Sequence, residues 1–130
     1  MSGLPSDRRG LRISLAAGAA YDLALGGFIL LAGKRVMAAL GHPVPEPGFY
    51  YTLGALPLLI LPVLYGSAAR SSAIDAFRPA VLWARGGGGL LLLGLTQRLG
   101  PEPAWIFLTI GLLDIGWAVV HRVLWRAPRH

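Results

Sequence analysis

The chain has 130 residues, is 55% hydrophobic and 14% charged, and carries a formal net charge of +6 with no cysteine. Without thiols it has no disulfides, thiolate catalysis, Cys-bound zinc or iron–sulfur clusters. So little charge excludes a soluble helical bundle, which needs a polar outer face on every helix. The basic excess does not read as nucleic-acid binding, because it sits at the ends of apolar segments.

Residues 1–10 are polar and broken by Gly3, Pro5 and Gly10, and read as a flexible basic N-terminus. Ser6-Asp7-Arg8-Arg9-Gly10 resembles a twin-arginine signal. The apolar run continues through Leu31, too long for a cleaved signal, so the segment is expected to be retained. Four apolar segments follow: Ile13–Ala32, Phe49–Ala69, Pro79–Gln97 and Ala104–Val120. Each carries at most one charge and matches a hydrocarbon core of about 30 Å. The expected fold is all-α: a polytopic membrane protein whose transmembrane domain, residues 11–126, is a four-transmembrane-helix antiparallel bundle. Its helices are placed at about 11–35, 49–69, 79–99 and 103–125, with 127–130 as a C-terminal tail.

The first helix is expected to leave the bilayer near Gly33-Lys34-Arg35 and to stop at Gly41. A proline-rich loop over 41–48 then leads to an aromatic belt at Phe49-Tyr50-Tyr51. Pro57 and Pro62 each delete a backbone hydrogen bond, which predicts a kinked second helix. Residues Arg70–Asp75 form a turn, Pro79 opens the third helix, and Leu99–Pro103 ends it. Trp105 and Trp125 read as belts at opposite ends of the fourth helix. Pro45-Glu46-Pro47 and Pro101-Glu102-Pro103 mark either two repeated hairpins or one helix-breaking loop used twice.

Nine basic residues (Arg8, Arg9, Arg12, Arg70, Arg78, Arg85, Arg122, Arg126, Arg129) fall toward one side, against Lys34, Arg35 and Arg98 on the other. This asymmetry predicts both termini in the cytoplasm and basic flanks that favour anionic lipid headgroups. Eleven Arg to a single Lys, with many Ala and Gly, points to a GC-rich bacterial source. The expected location is therefore the bacterial inner (cytoplasmic) membrane, multi-pass.

Three charges stand alone in their segments: Asp22, Arg85 and Asp114. Isolated intramembrane charges are the first candidates for function. At 1.5 Å per residue, Asp22 lies about 15 Å past Arg12, Arg85 about 10 Å past Arg78 and Asp114 about 12 Å before Arg122. All three fall in one layer. Each also lies on a stripe of small residues: Gly18/Asp22/Gly26/Gly33, Arg85/Gly88/Gly89/Thr96 and Gly111/Asp114/Ala118/His121. They are expected to converge, with Tyr21, Tyr65 and Thr109 lining the polar interior. The plainer reading is a buried clamp that fixes helix register. The sharper one is proton binding and relay, since two like charges in a low-dielectric site resist ionising together.

Gly86-Gly87-Gly88-Gly89 lacks the Gly-Lys-Ser/Thr of a phosphate loop. It reads as a packing patch against Ala16, Ala20 and Ala24 of the first helix, or as a break exposing backbone to a cavity. His42, His121 and His130 cannot face one another at one depth, so no haem is expected; His121 reads as a solvated interfacial side chain. No catalytic residue, metal or cofactor is expected.

Leu30-Leu31-Ala32-Gly33-Lys34, at the end of the first helix, resembles the corresponding stretch of DoxX-like proteins, small four-helix bacterial inner-membrane proteins. Arg12 and Gly86–Gly89 stand where that family often carries an early Arg and a Gly-rich third helix. The resemblance implies fold, location and, through some members, a link to quinone-dependent redox systems. It implies no catalytic residue, and Asp22 and Asp114 do not carry over from it.

Three functions remain open from the sequence. The first is an accessory or assembly subunit acting through helix–helix contacts, in a homodimer or a larger membrane complex. The second is a proton-coupled small transporter using Asp22. The third is a quinone-interacting redox subunit with a cavity near Tyr21, Tyr65 and Arg85.

Overall fold

A computed structural model describes residues 8–43, 49–97 and 101–126. Among these residues the protein is all-helical, with four long helices and no strand. Helix α1 runs Arg9–Ala39. Helix α2 is Phe49–Arg70, α3 is Arg78–Thr96 and α4 is Pro101–Arg126. A short 3-10 turn, Ile74–Phe77, leads into α3.

The helices pair as two hairpins, α1 along α2 and α3 along α4, and the hairpins join chiefly through α1 and α4. Two of the helices, Arg9–Ala39 and Trp105–Arg126, are long and apolar enough to cross a membrane. Polarity is inverted relative to a water-soluble bundle. Leu31, Trp83 and Val63 are 81%, 78% and 68% exposed, whereas Asp22, Arg85 and His121 are 0% exposed.

α1 is not a uniform helix. Ile29–Gly33 forms a π turn, lying beside α2, between the α-helical stretches Arg9–Phe28 and Lys34–Ala39. The helix passes the expected exit at Gly33-Lys34-Arg35 and stops where the sequence places the stop. Gly41 takes φ +73°. Its N–H donates to the Ala38 carbonyl, and the His42 N–H donates to that of Met37, the paired bonds of a Schellman cap.

α2 runs unbroken through Pro57 and Pro62. Each proline still removes the donor for the carbonyl four residues earlier. Where α1 meets α2, a Cβ on Gly26 would lie 3.0 Å from Leu58 Cβ, so glycine sets that spacing. Residues Pro101–Pro103, read from the sequence as the end of α3, instead form the first turn of α4, where proline's missing N–H costs nothing. Pro45–Pro47 and the side chains of Phe49, Tyr50 and Tyr51 lie outside the described residues.

One end of the bundle is tied by arginines. Arg12 donates from Nη1 to the Ala69 carbonyl and from Nη2 to that of Ser71, at the C-terminus of α2. Arg8 Nη1 donates to the Trp125 carbonyl at 3.1 Å, at the C-terminus of α4, and Arg8 Nη2 pairs with Asp75 at 2.9 Å. Cations at these positions answer carbonyls that the last helical turn leaves without donors, and they oppose the helix dipoles. Arg8, Arg9 and Gly10, in the stretch read as flexible, thus belong to the fold or its edge, with α1 starting at Arg9.

Candidate functional site

Three helices each contribute one charged side chain to the bundle interior. The buried face of α1 includes Leu11, Ser14, Leu15, Gly18, Asp22 and Gly26, spaced by three and four residues. α3 buries Val81, Arg85 and Gly89, again one turn apart. α4 buries Gly111, Asp114, His121 and Trp125. Glycine lets the charges approach. A Cβ on Gly18 would stand 3.1 Å from Arg85 Nη2. A Cβ on Gly89 would stand 2.8 Å from the Gly111 carbonyl oxygen, so α3 and α4 touch backbone to backbone there.

Arg85 is the centre of the site. Its Nη1 donates to Asp22 Oδ1 at 2.8 Å and to Asp114 Oδ1 at 2.6 Å. Its Nη2 donates to Asp22 Oδ2 at 2.8 Å and to the Gly18 carbonyl at 3.1 Å. The contact to Asp22 is bidentate, fork against fork, the geometry in which guanidinium and carboxylate bind most strongly. Asp114 closes the other side at 6% exposure. The Tyr65 ring lies 4.7 Å from Arg85 Cζ and the Tyr21 ring 5.8 Å away, both within cation–π range. All five residues picked out from the sequence, Tyr21, Asp22, Tyr65, Arg85 and Asp114, are therefore gathered at one place.

Other expectations fail. Thr109 is exposed, and its Oγ donates to the Trp105 carbonyl on its own helix. The glycine run does not pack against Ala16, Ala20 and Ala24, all three of which are exposed; its contact is with α4, through Gly89 and Gly86. Trp125 is not an interfacial belt residue but lies in the core at 4% exposure. His121, expected in solvent, is fully buried, with its ring 5.7 Å from Trp117, 6.3 Å from Tyr65 and 6.2 Å from Trp125. Its spacing from Asp114 and Ala118 was the available signal, since that places it on the inward stripe of α4.

Among the described residues, several buried polar atoms in this interior make no well-formed hydrogen bond: Ser14 Oγ, Tyr65 Oη, Arg85 Nε, the His121 ring nitrogens and Trp125 Nε1. Arg85 itself is nearly saturated, with both terminal nitrogens engaged. Grooves lie instead on the outer surface. One of about 200 Å³ runs between α3 and α4, and another of about 350 Å³ lies along α4 beside Leu112, Gly116 and Val120. No clamp residue lines either groove.

Fold and site together define a class: a small helical bundle with an apolar exterior, cross-tied inside by one arginine and two aspartates. Compared with known protein families, curated proteins and solved structures, the chain has no match.

Proposed function

We propose that the chain is a four-span protein of the bacterial inner membrane, with both termini cytoplasmic, that acts as an accessory or assembly subunit through helix–helix contacts. One observation carries this reading: Arg85, at 0% exposure, spends both terminal nitrogens on Asp22, Asp114 and Gly18. A guanidinium so engaged is suited to fixing the register of three helices, and little of it is left to bind a substrate. The apolar exterior supports burial of the outer faces in lipid or against partner helices. The bundle end that gathers Arg8, Arg12 and the last turns of α2 and α4 supports placing that end in the cytoplasm. The DoxX-like resemblance is consistent with this architecture, and the rings of Tyr21 and Tyr65 lie within cation–π range of the guanidinium.

A second reading, proton-coupled transport through Asp22, draws on the buried titratable side chains of Tyr65 and His121 next to the clamp. One experiment tests the topology that both readings share, and a second separates them. Single cysteines at Val44 and Ala73 test the topology: 44 reacts with an impermeant thiol reagent from outside and 73 does not, and the reverse pattern overturns it. Blue-native electrophoresis of gently solubilised membranes then tests assembly. Migration in a complex larger than the monomer supports the accessory role. A monomer that acidifies vesicles in an Asp22-dependent manner supports transport.

A further inference from the structure

We infer that the groove between α3 and α4 is a binding site for an anionic phospholipid, with an acyl chain in the groove and the headgroup on the arginines at its mouth. This rests on the membrane reading above and goes beyond it by naming a ligand and a site.

The groove follows from how the two helices meet. They touch backbone to backbone at Gly89 and Gly111. One turn nearer the cytoplasmic end of the bundle, the small residues Gly86 and Ala118 face each other, and a Cβ on Gly86 would still stand 3.9 Å from that of Ala118. The space of about 200 Å³ that opens there is walled by Leu82, Ile115 and Val119 and ends at Arg122. It faces outward, with Val119 56% exposed. The walls are aliphatic, the chemistry of a hydrocarbon chain's surroundings, and the groove ends on a cation.

The mouth is cationic. Arg122 lines it directly. Arg126 follows one turn later on α4, and Arg78 precedes Leu82 by one turn on the antiparallel α3, so helical spacing puts both at the same end. None of these three arginines makes a hydrogen bond or ion pair among the described residues. Arg8 and Arg12, at the same end, are instead engaged by helix carbonyls. Unpaired guanidiniums beside an apolar slot complement a phosphodiester above an acyl chain.

The test uses the full chain purified in detergent and offered phosphatidylglycerol or phosphatidylcholine, with bound lipid read by native mass spectrometry. Phosphatidylglycerol is retained in preference. Arg122→Gln lowers its retention about fivefold, the loss expected for one arginine facing an anionic surface. Val119→Trp, which fills the groove from its exposed rim, abolishes retention of either lipid. Arg35→Gln, at the opposite end of the bundle, changes nothing. Equal retention of the two lipids, or wild-type retention by either groove variant, overturns the proposal. So does a lipid-independent dimer that Val119→Trp splits, because a second copy would then occupy this face. Failure of the membrane reading is seen separately, as release of the chain from cell membranes by an alkaline carbonate wash before any detergent is added.

Discussion

Replacing Arg85 by Ala takes away a side chain that donates four hydrogen bonds inside the bundle and leaves two carboxylates without their cation. The formal charge of the layer goes from −1 to −2, with Asp22 fully buried and Asp114 nearly so. Removing one partner from a buried ion pair costs about 3–5 kcal/mol, because the remaining charge keeps its desolvation penalty and loses its compensation. Removing all the charges together is far milder. The triple variant Arg85→Met, Asp22→Asn, Asp114→Asn carries no formal charge in the layer, and we expect it to recover about 2 kcal/mol relative to Arg85→Ala alone. Reversible unfolding in mixed micelles, followed by tryptophan fluorescence, measures both. The reasoning is refuted if the triple variant is as unstable as Arg85→Ala or worse, for then the arginine does not act by balancing the acids.

The glycine run supplies a contrasted pair. Gly89→Ala drives a Cβ to 2.8 Å from the Gly111 carbonyl and should cost about 1–3 kcal/mol, whereas Gly88, with open space around it, should accept Ala with no loss in the same unfolding assay. Arg12→Gln removes the donors to Ala69 and Ser71 at the end of α2 and should cost about 1–2 kcal/mol, visible as earlier hydrogen exchange at residues 66–71. His121→Leu should be neutral or stabilising, because among the described residues neither nitrogen of this buried ring makes a well-formed hydrogen bond to offset its desolvation; a loss above about 2 kcal/mol would reveal a partner, the Ser14 backbone or a proton relay.

Much of the site was legible because a lone charge in an apolar helix has few places to go. Asp22, Arg85 and Asp114 each sit on a stripe of small residues at similar depth, and helical spacing alone brings the three faces together. Neighbour choice was not legible. Ala16, Ala20 and Ala24 make as good a small-residue stripe as Gly86–Gly89, yet the first is exposed and the second meets α4, since composition names a face without saying which helix covers it. His121 and Trp125 were misplaced by their nearness to the chain's end, where polar and aromatic residues ordinarily meet the interface; their α4 stripe continues inward and buries both. The π turn at Ile29–Gly33 has no signature in the hydrophobic pattern, because all five residues are apolar or glycine. The work of Arg8 and Arg12 was hidden because a basic flank looks the same whether its arginines face lipid or a neighbour's carbonyls.

The clamp also bears on the order in which the protein is made. Asp22 and its partner Arg85 are separated by 63 positions, so α1 and α2 are synthesised well before the guanidinium emerges. On the membrane reading, the newborn first hairpin can be tied early, since Arg12 reaches the end of α2 as soon as that helix exists. It nonetheless carries an acid with no counter-ion until α3 inserts. That acid carries the cost of an intramembrane charge until Arg85 of α3 reaches it. Arg8 binds later than Arg12, because the carbonyls of Leu124 and Trp125 belong to α4, the last of the four helices to be made. The start of α1 is in this way fastened to the end of α4, a tie that exists only once α4 has been made.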